Sequence, residues 1–302
     1  MASFQAHLAV WIMKWRVKRR LKGCRDYRRA RQILRPDPYK VPAAVRISPV
    51  QVNGIPGEWV ESPNVSKDVL LYLHGGGYFG CSAETHRPIT ASFAMHGFGV
   101  FAPNYRLAPE NPFPAAVEDA TAAYRGLLAE GHLPQRIVGG GLALSLMLAL
   151  RASGTPLPAA AVLFSPWTDL AATGDSIRTN ASRCAMFNGP DIGPSARYYL
   201  GGTDPRNPLA SPLYADLSGL PPMLIHAGTD EVLRDDSTRL AEKARAAGVP
   251  VELKIWPVVP HAWQLAPHQI PEARQSLRES AAFLRTHTSA ANLSGVKSQE
   301  NG

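Results

Sequence analysis

Apolar residues along this chain gather into two kinds of run. Val69 to Leu73, Phe98 to Phe101, Ala160 to Phe164, Met223 to Ala227 and Val251 to Trp256 are short, nearly uninterrupted stretches that read as buried strands. Between and after them lie longer segments of helical character: Pro88 to His96, Ala115 to Glu130, Gly141 to Ala152, Asp235 to Ala247 and Pro271 to Thr286. Strands alternating with helices predict an α/β architecture, a mostly parallel sheet covered by helices on both faces. Residues 173–212 break the pattern with many Gly, Pro, Asn and Asp, and read as a cap segment. From Thr288 onward the chain is polar, which predicts a disordered tail at 288–302. No internal repeat is visible.

The N-terminus follows a different rhythm. Phe4, Leu8, Trp11, Ile12 and Trp15 recur at helical spacing and share one face of a predicted amphipathic helix. The net charge of +8 belongs to the residues that follow it: Lys14 to Arg35 holds 11 Lys or Arg and one acid, so the rest of the chain carries net −2. Such a helix suits peripheral contact with an anionic membrane surface. The plainer reading, and the preferred one, is a cap helix whose Arg and Lys stems pack over apolar neighbours. No nucleic-acid reading motif accompanies the charge, so nucleic acid is not an expected partner.

With 302 residues and 45% apolar side chains, the chain can bury one large α/β core bearing a cap. Cys24, Cys81 and Cys184 are scattered and odd in number, which suggests neither a disulfide framework nor a zinc site and fits a reducing compartment. No stretch approaches the ~20 apolar residues of a membrane span, and Leu8 to Met13 precedes its basic residues, the reverse of a signal peptide. A cytoplasmic protein is expected.

The candidate chemistry begins at His74-Gly75-Gly76-Gly77, directly after a predicted strand. Adjacent glycines let a backbone turn so that its N–H groups face a negative charge forming on a carbonyl oxygen. Gly75 and Gly76 are the expected donors, with His74 and Gly77 shaping the turn; the alternative is a glycine-rich corner without a ligand. Asp230 follows the strand Met223 to Ala227 through Gly228-Thr229, at the carboxyl edge where α/β active sites gather. It is the first choice for a triad acid, against a helix-capping role and against Glu231, Asp235 and Asp236 as competitors. His261, in the loop after Val251 to Trp256, is the expected general base, with His226 and His268 as alternatives. The acid-then-base order matches α/β-hydrolases. A nucleophile elbow, G-x-S-x-G, is missing. Ser145 lies more than a turn down its helix, too far to substitute. Cys81 and Ser82, beside the glycine loop, have no evident base partner, and Ser165, before Pro166-Trp167 at a strand end, reads as scaffold. Gly139 to Gly141 resembles a dinucleotide loop only superficially, because Leu144 stands where G-x-G-x-x-G/A wants Gly or Ala.

Five motifs in order carry a family resemblance: His74 to Gly77; Tyr105-Arg106-Leu107-Ala108-Pro109-Glu110 with Pro112-Phe113-Pro114-Ala115-Ala116; Ser165-Pro166-Trp167; Gly228-Thr229-Asp230; and Pro260-His261. Over residues 40–287 the chain resembles the hormone-sensitive lipase family of α/β-hydrolases. The resemblance implies a carboxylic-ester hydrolase with a Ser-Asp-His triad, no cofactor or metal, and a small-molecule ester as partner. A homodimer is compatible with it. It also implies cap helices at 1–45, a core of 46–172 and 213–287, and a second cap segment at 173–212. Family members carry a longer strand and a G-D-S-A-G turn between the equivalents of Val138 and Gly139, so about six residues are absent here, the nucleophile among them, leaving only Ile137-Val138 of the central strand. Two functions follow: an esterase lineage with a lesion at the elbow, which is favoured, or a non-catalytic protein, either a ligand-binding relative or an inactive deletion variant. Plant gibberellin receptors, which resemble the same family, illustrate the second.

Overall fold

The computed structural model describes residues 2–63, 69–132 and 136–297. Its centre is an eight-stranded sheet of β1 (Arg46–Val52), β2 (Ile55–Glu61), β3 (Val69–Tyr72), β4 (Gly99–Pro103), β5 (Arg136–Gly139), β6 (Ala160–Phe164), β7 (Met223–Gly228) and β8 (Val251–Trp256). The spatial order is β1-β2-β4-β3-β5-β6-β7-β8. The β1/β2 and β2/β4 pairs are antiparallel and every other pair is parallel. This is the mostly parallel α/β architecture expected from the alternation of elements, in the α/β-hydrolase arrangement that the resemblance implies.

The helices are α1 (Phe4–Met13), α2 (Tyr27–Leu34), α3 (Arg87–Met95), α4 (Ala115–Ala129), α5 (Gly141–Ala152), α6 (Ser176–Thr179), α7 (Gly189–Leu200), α8 (Arg234–Ala246) and α9 (Pro271–Lys297). Strand periodicity sorts the apolar side chains onto two faces. Leu70, Tyr72, Val100, Val138 and Val162 pack under α3 and α9. Leu71, Leu73, Phe101, Ile137 and Leu163 pack under α4, α5 and α8. Helix α9 continues through the first residues of the tail expected to be disordered, while 298–302 lie outside the described residues.

Two parts of the sheet differ from expectation. The β1–β2 hairpin was not read from the apolar pattern, because both strands are half exposed and Pro49 interrupts the first. Its signal lies in the turn, where Asn53 and Gly54 take φ of +46° and +81°, the left-handed pair that a two-residue hairpin requires. The central strand β5 is four residues long, where Ile137-Val138 alone was expected. It begins on Arg136, which is 1% exposed. Its guanidinium lies over the Phe98 ring at 5.0 Å, and its Nε donates to the Leu284 carbonyl at 3.1 Å.

Helix α1 runs on through a π-helical turn at Lys14–Lys18 to a last α-helical turn at Arg19–Leu21. Ser3 caps it, its Oγ accepting from the Ala6 N–H at 3.1 Å. The Ser3 N–H and Oγ both donate to the Glu272 carboxylate, at 2.7 and 2.8 Å, and tie the helix to α9.

Candidate active site

The loop after β3 is shaped by its glycines. Gly76 has φ of +118°, and a Cβ there would lie 2.2 Å from the Gly80 carbonyl oxygen, so no other residue fits. The Gly76 carbonyl accepts from the N–H groups of Phe79 and Gly80, which folds the loop back on itself. Among the described residues, the N–H groups of Gly75, Gly76 and Gly77 have no protein acceptor, and all three residues line a cavity of about 170 Å³.

Buried aromatic groups hold this loop from behind. The His74 ring stacks on Tyr105 with centroids 4.1 Å apart, and the Tyr105 hydroxyl donates to the His74 carbonyl at 2.7 Å. His74 Nδ1 lies 2.8 Å from the Gly75 carbonyl; because a carbonyl only accepts, this nitrogen carries the hydrogen. Burial pushes the His74 pKa down to about 4. His86, 2.7 Å from the Tyr72 hydroxyl, is lowered well below its ordinary value by burial and by the neighbouring imidazoles. Both rings are therefore neutral at pH 7.

His261 lines the same cavity, with the buried Glu231 behind it. His261 Nδ1 donates to Glu231 Oε2 at 2.6 Å, leaving Nε2 for a proton elsewhere. The other carboxylate oxygen, Oε1, accepts from the Gly228 N–H and the Ser165 hydroxyl, both at 2.6 Å. Ser165 turns its side chain there from a left-handed backbone at φ +41°. Asp230, the first choice from sequence, is not at His261: it is part-exposed and pairs with Arg183 at 3.3 Å. The turn explains the exchange. The Glu231 N–H closes the turn on the Gly228 carbonyl, and its side chain reaches back to the N–H of Gly228, whereas Asp230 one position earlier points outward.

The other candidates are engaged elsewhere. Asp236 is buried and accepts from the N–H groups of Thr168 and Asp169, and burial raises its pKa to about 7. Asp235 pairs with Arg234 and accepts from the Ser176 N–H. His226 is buried against Ser276, with its pKa lowered to about 4 by burial, and His268 lies beside Tyr39.

The strand-to-helix turn that should hold a nucleophile is Gly139-Gly140-Gly141, which passes from β5 straight into α5. A Cβ at Gly141 would meet the Trp167 carbonyl at 2.1 Å and the Tyr78 hydroxyl at 2.4 Å. Ser145 is fully buried, its hydroxyl donating back to the Gly141 carbonyl at 3.2 Å. Ser195 donates to the Asp191 carbonyl, and burial raises the Cys81 thiol to about 11. Among the described residues, no hydroxyl or thiol is hydrogen-bonded to His261. Met186, Phe187 and Ile192 from the 173–212 segment, with Leu34 from α2, complete an apolar wall, and Phe187 meets the His261 ring edge-on at 5.0 Å.

Comparison with known proteins identifies the family and the fold. A family model for the alpha/beta hydrolase fold matches residues 70–265. The chain is similar to an acetyl-hydrolase of Streptomyces hygroscopicus, 46% identical over 246 residues that cover 79% of this chain and 82% of the relative. An esterase of Acinetobacter venetianus is 34% identical over 249 residues, covering 79% and 82%. The crystal structure of an esterase from the bacterial hormone-sensitive lipase family superposes with a TM-score of 0.89 at 39% identity, covering 95% of this chain and 99% of that one.

Proposed function

The chain belongs to the hormone-sensitive lipase family of α/β-hydrolases, a lineage of carboxylesterases, and from that premise we propose that it retains the ester pocket, oxyanion receptor and general base of the family but lacks the nucleophile. One observation carries this reading: the Gly75–Gly77 loop and His261, backed by the buried Glu231, share one cavity whose third corner, Gly139 to Gly141, has no side chain.

The roles follow from the chemistry of acyl transfer. An ester of short or medium acyl chain enters along the apolar wall with its carbonyl oxygen toward the loop. As an oxygen attacks the carbonyl carbon, charge builds on that oxygen and the N–H groups of Gly75 and Gly76 stabilise it, with Gly77 holding the turn. His261 Nε2 takes the proton from the attacking oxygen and then gives one to the departing alkoxide. Glu231 holds the ring orientation and stabilises the imidazolium, the part expected of Asp230 from sequence. In a complete triad the attacking oxygen is serine Oγ; here only water can take that place, which leaves the residual catalysis that binding and the oxyanion receptor supply.

The test pairs p-nitrophenyl butyrate hydrolysis with a fluorophosphonate probe read by intact mass. The expected result is no covalent adduct on the 302-residue chain and no acylation burst, together with a rise in melting temperature at saturating ester, because a bound ester that is not consumed stabilises the fold. A stoichiometric adduct at that chain mass overturns the proposal.

A further inference from the structure

Helix α1 is mounted with its small side chains inward. Ala6 is fully buried against Trp256, Trp263 and Ile270, with Ala2 and Ala9 packed beside it. The opposite face presents Phe4 (77% exposed), Leu8 (44%), Trp11 (65%), Ile12 (38%) and Trp15 (63%). Apart from Met95, these are the only exposed large hydrophobic side chains among the described residues. Scattered exposed apolar residues are ordinary; a single stripe of this size marks an interaction surface. The preferred sequence reading, a cap helix covering its apolar neighbours, does not account for the stripe. Nor can the helix roll to hide it, because Ser3 is fixed to Glu272 at one end and Lys18 donates to the carbonyls of Ala181 and Cys184 at the other, at 2.6 and 2.8 Å.

We propose that this face of α1 docks the protein onto an anionic lipid surface, lying in the headgroup plane with Phe4, Leu8, Trp11, Ile12 and Trp15 inserted. Charge complementarity selects this occupant. Arg19, Arg20, Lys22 and Arg25 follow the stripe directly, are exposed, and form no ion pair among the described residues, within a segment of net charge +10. Tryptophan suits the boundary between headgroups and acyl chains, where its ring is buried and its N–H stays wet. No described helix is long and apolar enough to cross a bilayer, so the contact is peripheral. The proposal stands independently of whether the pocket turns over esters.

Sedimentation with phosphatidylcholine vesicles, with and without about 30% phosphatidylglycerol, tests it on the full chain. Binding to the anionic vesicles is expected to be at least about ten-fold stronger than to the neutral ones, and to fall about ten-fold or more between about 50 and 500 mM salt. The double variant Trp11→Ser/Trp15→Ser should lose vesicle binding while keeping its circular dichroism and melting temperature, since neither ring is packed in the fold. Charge reversal by Arg19→Glu/Arg20→Glu/Lys22→Glu should weaken binding about ten-fold or more. Equal binding to both vesicle types, no binding to either, or undiminished binding by the tryptophan variant would overturn the proposal. So would a salt-resistant dimer, abolished by the tryptophan variant, that ignores vesicles.

Discussion

Inserting Val-Ala-Gly-Asp-Ser-Ala between Val138 and Gly139 is expected to turn this chain into a working serine esterase. The insertion adds two strand residues, about 7 Å at ~3.3 Å each, after Arg136-Ile137-Val138, and then supplies G-D-S-A-G with Gly139, now the end of β5, as its last residue. The other parts stand ready: His261 is held by Glu231 at 2.6 Å, and the glycine loop faces the same cavity. Loss of the nucleophile alone from an intact triad costs about 2 × 10⁶ in kcat. That is about 9 kcal/mol at ~1.36 kcal/mol per tenfold. An elbow not adapted to its neighbours forfeits part of this, since a misplacement of ~1 Å costs about 10²-fold. A gain of about 10⁴-fold or more, ~5 kcal/mol, is therefore expected. The assay is p-nitrophenyl butyrate turnover with fluorophosphonate titration, one adduct per inserted serine. If the inserted chain melts cooperatively yet takes no label and stays within about ten-fold of its parent, the assignment of Gly75 to Gly77 and His261 as surviving machinery is wrong.

Within the repaired chain, Glu231→Gln is expected to lower kcat/KM by about 10³–10⁴-fold and Asp230→Asn by less than about three-fold, because only Glu231 is bonded to His261; equal losses would refute the pairing. In the chain as it stands, Gly76→Ala should cost about 2–4 kcal/mol in urea denaturation, from its φ of +118° and the contact with the Gly80 carbonyl, while Gly80→Ala, whose new Cβ would lie 3.5 Å from its nearest neighbour, costs under about 1 kcal/mol. Burial raises the Asp236 pKa from 3.8 to about 7, so the native state keeps a proton the unfolded chain has released. This contribution to stability is complete below about pH 4 and is lost as pH rises to about 7, a decline on the order of 4 kcal/mol. Asp236→Asn should remove that part of the slope in denaturation curves taken between those pH values, and an unchanged slope would refute it.

Much of the candidate site is legible because its residues sit in short strings with few other uses. Three adjacent glycines after a buried strand announced the loop, and His261 was identifiable by its place after β8. The choice between Asp230 and Glu231 was not legible. Spacing allows either, and what decides is a turn in which Glu231 reaches back to the Gly228 N–H, a three-dimensional fact with no separate sequence signal. The β1–β2 hairpin carries its sequence signal in the turn residues Asn53-Gly54 and not in apolar alternation, which its half-exposed strands lack. For α1, periodicity gave the stripe but not its direction. Ala2, Ala6 and Ala9 make the opposite face apolar too, and only tertiary packing shows which side is covered.

The ladders and the burial of the sheet carry a consequence for how the molecule breathes. Among the described residues β1 pairs with β2 over seven register positions yet stays half exposed, whereas β3 and β5 are buried along their described length. Native-state hydrogen exchange reports the cheapest route by which each amide is freed. The buried middle of the sheet is expected to hold its amide protons longest, and the β1 edge to release them first through local opening short of global unfolding.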